Sequence, residues 1–296
     1  MGWDFLSLRS DRMKTGLVLE GGAMRGIFTC GVLDVFLENG ITFEGAAGIS
    51  AGAVFGCNFK SRQIGRTLRY NKRFCNDERY CSLKSLIKTG DMYNVDFCYH
   101  QIPDVLDVFD RKTYRENPMK FYVGATDVET GKPVYHLCQD GEENDMKWFQ
   151  ASASMPMVSR IVEVDGMKLL DGGIADSVPF AFLKSMGYDR QVIILTQAKG
   201  YRKKKATKIP LFKLALRKYP KAYEAVMNRH VMYNKEMDAI DTLEESGEAL
   251  VIRPSVSLGI SRTESNPDEL QRVYDMGREV ALERLDEIKA FLSNKE

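Results

Sequence analysis

The pentapeptide Gly48-Ile49-Ser50-Ala51-Gly52 fits G-x-S-x-G. It puts a hydroxyl where a strand-like run, Phe43 to Ile49, gives way to a small-residue helix, Ala51 to Phe59. A sharp strand-to-helix turn of this kind holds a serine in a strained conformation with its Oγ exposed, and small neighbours such as Gly48 and Gly52 let strand and helix close on one another. The following helix points its positive N-terminal end at the hydroxyl, which favours negative charge developing there. The same pattern also occurs as a plain turn, so it needs partners. One is the loop Gly21-Gly22-Ala23-Met24-Arg25-Gly26. Acyl transfer passes through a tetrahedral oxyanion, and a backbone N–H aimed at that oxygen contributes on the order of 10²–10³ in rate. Glycines let such amides turn inward. Another is Leu170-Asp171-Gly172-Gly173, in which two glycines leave a carboxylate free to project into a cleft; alone, it reads equally as a turn aspartate.

The glycine loop has a rival reading as a dinucleotide-binding turn. Its register, Gly21-x-Ala23-x-x-Gly26, lacks the middle glycine. Glu44, near the usual distance of a ribose-binding acid, falls at the start of the second strand rather than its end, which carries Ser50 instead. The histidines His100, His136 and His230 have no motif around them. A Ser–His–Asp triad in the chain order serine, acid, histidine would have to use His230, and it is the enzymatic alternative to a base supplied by Asp171 alone. None of the six cysteines has C-x-x-C spacing and no histidine sits near a cysteine cluster, so no zinc site of the usual spacing is expected, which leaves only ligands brought together by folding; no cofactor motif stands out. Asp104, Asp107 and Asp110 lack the glycine turn and distal glutamate of a calcium loop and read as an exposed face.

Taken together and in this order, Glu20-Gly21-Gly22-Ala23-Met24-Arg25-Gly26, Gly48-Ile49-Ser50-Ala51-Gly52 and Asp171-Gly172-Gly173 resemble the three blocks of the patatin-like phospholipases. Ala151-Ser152-Ala153-Ser154-Met155-Pro156 is similar to a further block that precedes the aspartate. The resemblance covers about residues 16–185. It implies a catalytic dyad of Ser50 and Asp171, an oxyanion-hole loop formed by Gly21, Gly22, Ala23, Arg25 and Gly26, a nucleophile elbow at Gly48 and Gly52, no metal, and fatty-acyl esters as substrates, whether phospholipid, lysophospholipid or neutral lipid. Two departures stand out. Ala23 replaces a common third glycine, keeping its N–H but narrowing φ, and Gly173 stands where alanine is usual. In the implied mechanism Asp171 takes the proton of Ser50 as it attacks the ester. A carboxylate of ordinary pKa, ~3.9, is a weak base for an alcohol, and burial would strengthen it. A non-catalytic lipid-binding or regulatory protein, and a nucleotide-binding Rossmann-like protein, are the alternatives.

The elements that must position these residues follow from periodicity. Gly16 to Glu20 is a short apolar run ending at glycines, and Ile27, Val32, Leu33, Phe36 and Leu37 recur at helical spacing until Asn39-Gly40. Strand, helix, strand, helix in this order predicts parallel strands covered by helices. Further strands are expected at Phe121–Thr126, Val134–Leu137, Val192–Leu195 and Leu250–Ile252, with a hairpin turning at Asp165-Gly166. A short helix fits Trp148–Ser154 and one long amphipathic helix fits Pro267–Leu292. The expectation is an α/β three-layer sandwich with a mainly parallel central sheet and helices on both faces, patatin-like. Residues 16–185 would be its catalytic core, and 186–296 would complete the same domain.

Charge narrows the partners. The chain of 296 residues carries 42 Lys and Arg against 41 Asp and Glu, which argues against a general nucleic-acid binder. No window of about 18 apolar residues could span a membrane, and Met1 to Lys14 has no apolar signal-peptide core. A cytoplasmic protein with free thiols is expected. One segment is basic throughout, with Lys199, Arg202, Lys203, Lys204, Lys205 and Lys208 and no acid between them. Leu211, Leu214, Ala215, Tyr219, Tyr223 and Val226 follow at helical spacing. Such a stretch could make a peripheral contact with an anionic membrane surface. The plainer reading is a solvated loop followed by a core-facing helix.

Overall fold

The structure is a computed structural model and describes residues 13–293; most of the N-terminal stretch read above for a signal peptide lies outside them. Eight strands form one sheet among the described residues: β1 (Thr15–Leu19), β2 (Gly45–Ile49), β3 (Lys120–Asp127), β4 (Pro133–Cys138), β5 (Val162–Val164), β6 (Met167–Asp171), β7 (Arg190–Ile194) and β8 (Ala249–Ile252). The run β3-β2-β1-β7-β8 is parallel throughout. Side chains alternate between its faces, and both faces are dry. Leu17 and Leu19 join one apolar cluster with the helices Gly26–Glu38, Ala51–Lys60, Glu143–Ser152 and Pro267–Glu283. Val18, Ala47 and Ile193 join another with Phe180–Ser185 and Pro220–Glu245. Burial on both sides is why these strands read as continuous apolar runs. The protein is therefore an α/β sandwich of helix, sheet and helix.

One feature of the pairing positions the chemistry. β4 pairs with β3 along residues 121–126, so β2 and β6 share the opposite edge of β3. β2 runs parallel to β3 and ends with Ile49 opposite Gly124. β6 runs antiparallel and ends with Asp171 opposite Ala125. The two strands thus meet end to end at adjacent positions of one edge, and the residues at their ends, Ser50 and Asp171, are delivered to the same point.

The C-terminal part is bound into this frame. β7 and β8 extend the parallel sheet, and Pro267–Glu283 crosses Gly26–Glu38 at backbone contact. A Cβ at Gly31 would lie 2.1 Å from the Tyr274 carbonyl oxygen, and one at Gly277 would lie 2.0 Å from that of Phe28.

Several elements differ from the sequence expectation. The helix before the Ala151–Pro156 block begins at Glu143, five residues early, because Asp145 accepts the amides of Asp140 and Gly141 and organises the turn that starts it. The long C-terminal helix is two, Pro267–Glu283 and Leu285–Ser293, parted at Arg284, which leaves helical geometry. Of Asp104, Asp107 and Asp110, Asp104 is exposed as expected, whereas the other two are held in contacts. Asp107 is buried against Arg66 and forks onto Arg69 at 2.7 and 2.8 Å, Asp110 caps Arg111–Glu116 through the Thr113 amide, and Asp104 pairs with Arg111. After the basic segment, Ile209–Ala215 is a separate helix with no buried residue, though Phe212 packs against the cluster in which Pro220–Glu245 buries Ala222 and Val226. No helix of the described residues is long and apolar enough to cross a membrane.

Candidate active site

Ser50 adopts φ 54° and ψ −120° at the tip of β2, a backbone conformation rare for a residue with a side chain. Its neighbours explain how the turn closes. A Cβ at Gly48 would lie 2.5 Å from the Gly52 carbonyl oxygen, and one at Gly52 would lie 2.4 Å from that of Leu19. Only glycine fits either place. The amide of Ser50 donates to Ser152 Oγ at 2.8 Å, and Ser152 donates in turn to the Gly124 carbonyl at 2.6 Å. The Ala151–Pro156 block therefore ties the serine turn to β3 just where β2 stops.

Asp171 is buried. Its amide donates to the Ser154 carbonyl at 2.8 Å, its carbonyl accepts from Thr126 Oγ1 at 2.8 Å, and its Oδ1 accepts the Gly173 amide at 2.8 Å. Oδ2 is buried without a partner at hydrogen-bond geometry. Burial pushes the carboxyl above its usual range. The Arg229 guanidinium opposes that rise most, followed by the Ser50 hydroxyl, the Gly173 amide and Arg262. The Ser50 hydroxyl is thus among the groups that favour the charged carboxylate.

The glycine loop lies against this pair. A Cβ at Gly21 would lie 3.0 Å from Ser50 Cβ, and one at Gly22 would lie 2.7 Å from Thr196 Oγ1. Ala23 is left-handed at φ 51° and opens the short turn Ala23–Arg25. Two of the five residues expected in an oxyanion hole do not offer their amides: Arg25 donates to the Gly22 carbonyl at 3.3 Å, and Gly26 donates back into the turn. Gly26 serves packing instead, since a Cβ there would meet that of Ala51 at 2.9 Å. Amides at the start of a helical turn have no partner within it, so those of Gly21, Gly22 and Ala23 are not used in this turn, and Gly21 is the residue packed on Ser50.

A model of the patatin-like phospholipase family matches residues 17–184, more than half of the chain. The chain belongs to the patatin-like phospholipase family. A second model, a domain of unknown function (DUF6363), matches residues 219–293. The uncharacterized protein YjjU of Escherichia coli (strain K12) is 29% identical over 189 residues, covering 62% of this chain and 52% of YjjU. Lysophospholipase nte1 of Aspergillus terreus is 26% identical over 189 residues, covering 60% of this chain but 11% of its own. The chain thus spans about half of one of these relatives and a small part of the other. Among solved structures, VipD from Legionella pneumophila aligns over 93% of this chain and 67% of its own, with 15% identity and a TM-score of 0.45.

Beyond the patatin-like segment, the site gains residues that no motif announced. Ser50 and Ala23 open on a cavity of about 630 Å³ whose wall includes Lys203, Arg229, His230 and Arg262. Arg229 reaches Asp171 through the space at Gly173, where a Cβ would lie 2.8 Å from its Nη2. The departure of glycine for alanine in the third block therefore makes room for a guanidinium. That was the one sequence signal pointing to Arg229, and it did not identify the partner. Glu20, the residue before the loop, is buried and accepts from the Thr196 amide at 2.6 Å, Thr196 Oγ1 at 3.0 Å and the Tyr233 hydroxyl at 2.9 Å. Arg25 lies beside it, its guanidinium lowered by burial and held up by Glu20.

His230 lines the same cavity as Ser50, and its Nδ1 bonds the Met227 carbonyl at 3.0 Å. His136 stacks on Trp148 and bonds Asp145 at 3.2 Å, and His100 lies 3.9 Å from Glu143. His136, Cys138 and Asp145 offer ligand atoms within 4.8 Å of one another. Asp145 already accepts two backbone amides besides His136, so the cluster is satisfied by protein groups.

Proposed function

We propose that the protein is a serine lipid acyl hydrolase working through a Ser50–Asp171 dyad. Ser50 Oγ attacks the ester carbonyl while Asp171 accepts its proton. The amides of Gly21, Gly22 and Ala23 hold the oxyanion, and Asp171 returns the proton to the leaving alcohol. Water then attacks the acyl-enzyme with Asp171 again as base, freeing the fatty acid. The observation that carries this reading is the end-to-end meeting of β2 and β6 on the edge of β3, which brings a strained serine against a buried carboxylate. A base with a raised pKa suits that task better than an ordinary carboxylate. The cavity volume lies within the roughly 300–1,000 Å³ that encloses one small ligand. Its apolar walls, with Val54, Phe55, Ile102 and Phe149, suit one acyl chain. The name lysophospholipase on a relative matching 60% of this chain supports a single-chain lipid ester.

Labelling with a fluorophosphonate probe tests this. The parent should label, and Ser50→Ala should not. Asp171→Asn should slow labelling and the hydrolysis of lysophospholipid by on the order of 10²–10⁴-fold while keeping its circular dichroism. Failure of the folded parent to label would favour the non-catalytic lipid-binding reading, and a thermal shift with NAD in its place would favour the nucleotide reading.

A peripheral membrane contact is supported by the surface beside the cavity. Lys204, Lys205 and Lys208 line its rim, and the next helix exposes Leu211 and Leu214, at 51% and 64%. Changing Lys204, Lys205 and Lys208 to Ser should weaken co-sedimentation with anionic vesicles and leave that with neutral vesicles unchanged. Equal binding to both by parent and variant would remove this contact.

A further inference from the structure

The patatin-like segment ends at residue 184, yet the cationic wall of the cavity comes from beyond it. Lys203 belongs to the basic run, and Arg229 and Arg262 fall within the segment matching a domain of unknown function. These cations lie close enough to disturb one another: Lys203 is lowered to about 7 by burial first, then by Arg229, with Arg262 and Arg25 adding to the effect and Glu20 opposing it. Arg229 is likewise lowered by burial and by Arg262. Two carboxylates, Glu20 and Asp171, face the four cations. A third acid near Arg229, Glu236, is pushed up by burial and by Asp176, which disfavours its charged form. The cations of this wall therefore outnumber the carboxylates that face them.

Its donors are also incompletely used. Arg229 Nε is buried and makes no hydrogen bond, as is Arg25 Nε behind it. A buried guanidinium N–H without an acceptor is costly. Lys203 differs from its neighbours in the basic run. Lys199 and Arg202 point outward to Glu244 and Asp238 at 3.3 and 2.6 Å, whereas Lys203 turns inward and rests 4.2 Å from the centroid of the Tyr233 ring. The same cavity has apolar walls on the side of Phe55 and Phe149 and holds Ser50.

We propose that Lys203, Arg229 and Arg262 form an anion subsite that takes the phosphate of a single-chain lysophospholipid, seating the headgroup beside the dyad while the acyl chain lies along the apolar wall. Guanidinium forks match phosphate oxygens bidentately, and charge-assisted hydrogen bonds of this kind are about twice as strong as neutral ones. An arriving phosphate would give the orphaned Arg229 Nε an acceptor and relieve the repulsion between the cations. In a lysophospholipid the phosphate and the ester carbonyl are joined only through glycerol, which fits a cationic wall adjoining the nucleophile. The 219–293 segment would on this view supply headgroup recognition to a patatin-like catalytic core.

The inference rests on the hydrolase reading for its substrate but not for its ligand chemistry, so binding and turnover are tested separately. Binding of dodecyl phosphate below its critical micelle concentration is measured by calorimetry on the Ser50→Ala protein, against dodecyl glycerol ether and inorganic phosphate. Dodecyl phosphate is expected to bind at least tenfold more tightly than the ether. That advantage should fall by about tenfold or more on adding Lys203→Gln or Arg262→Gln. In the parent background, the same two substitutions should shrink the ratio of kcat/KM for lysophosphatidate over monoacylglycerol of equal chain length. A phosphate advantage that is absent, or that survives both substitutions in folded protein, overturns the proposal. Inorganic phosphate binding as tightly as dodecyl phosphate would make this a free-anion site and overturn the headgroup assignment. Selective binding with no hydrolysis of any ester would leave the subsite standing and sink the hydrolase reading alone.

Discussion

The two walls of the cavity are built by different means. The wall that carries Ser50, with Asp171 buried behind it, is a matter of backbone: two strands end at neighbouring positions of one edge, and glycines at 48 and 52 admit the turn because no Cβ fits. The cationic wall beside it is a matter of reach. Lys203, Arg229 and Arg262 come from a loop, the middle of a 26-residue helix and a second loop, and long flexible side chains carry their charges to the same place. The pair proposed to exchange a proton rests on strand ends in the buried sheet. A charge cluster tolerates ångströms of slack because Coulomb attraction falls off slowly with distance.

This contrast can be broken experimentally, and Gly52→Ala should do the most damage. The added methyl would meet the Leu19 and Glu20 carbonyls at 2.4 and 2.8 Å, so strand and helix must part. A stability loss of about 1–3 kcal/mol is expected for such overpacking, read as a lower midpoint in urea unfolding, together with a much slower reaction of Ser50 with the probe. Unchanged stability and labelling would mean that the backbone wall is softer than the glycines imply.

Arg229→Gln probes the junction of the two walls. Arg229 is the strongest influence holding the Asp171 carboxyl down against burial. Removing it should raise that pKa further. Activity needs the carboxylate, so the acid limb of kcat/KM on an uncharged ester should move to higher pH, with a smaller loss on the alkaline plateau. A limb that stays put would separate Arg229 from the base.

The mildest probe is Gly173→Ala, which restores the residue expected in the family's third block. The methyl would lie 2.8 Å from Arg229 Nη2 and 3.0 Å from Asp171 Oδ1, and the flexible arginine can yield. An off-rotamer cost of about 0.5–1.5 kcal/mol predicts a shift of the acid limb in the direction of Arg229→Gln but smaller. A larger shift than Arg229→Gln would show that the methyl acts on Asp171 directly.

Sequence alone determined the frame that short-range rules govern. Apolar runs ending at glycines marked the strands, and a serine between small residues at a strand-to-helix boundary marked the elbow, since sterics at such a turn leave few residue choices. The order of the blocks then pointed to the family. Even there, the sequence could not tell which loop amides stay open, because Arg25 and Gly26 use theirs in a turn that only the coordinates display. It misread Asp107 as exposed, since burial against Arg66 and Arg69 depends on a fold-dependent contact across 38 to 41 residues of chain. The tertiary structure decided that β2 and β6 abut on one edge of β3, and that a lysine in a surface-looking basic run turns inward beside arginines from a distant helix and loop. Local periodicity cannot report these meetings, because the groups involved are joined by packing rather than by chain neighbours.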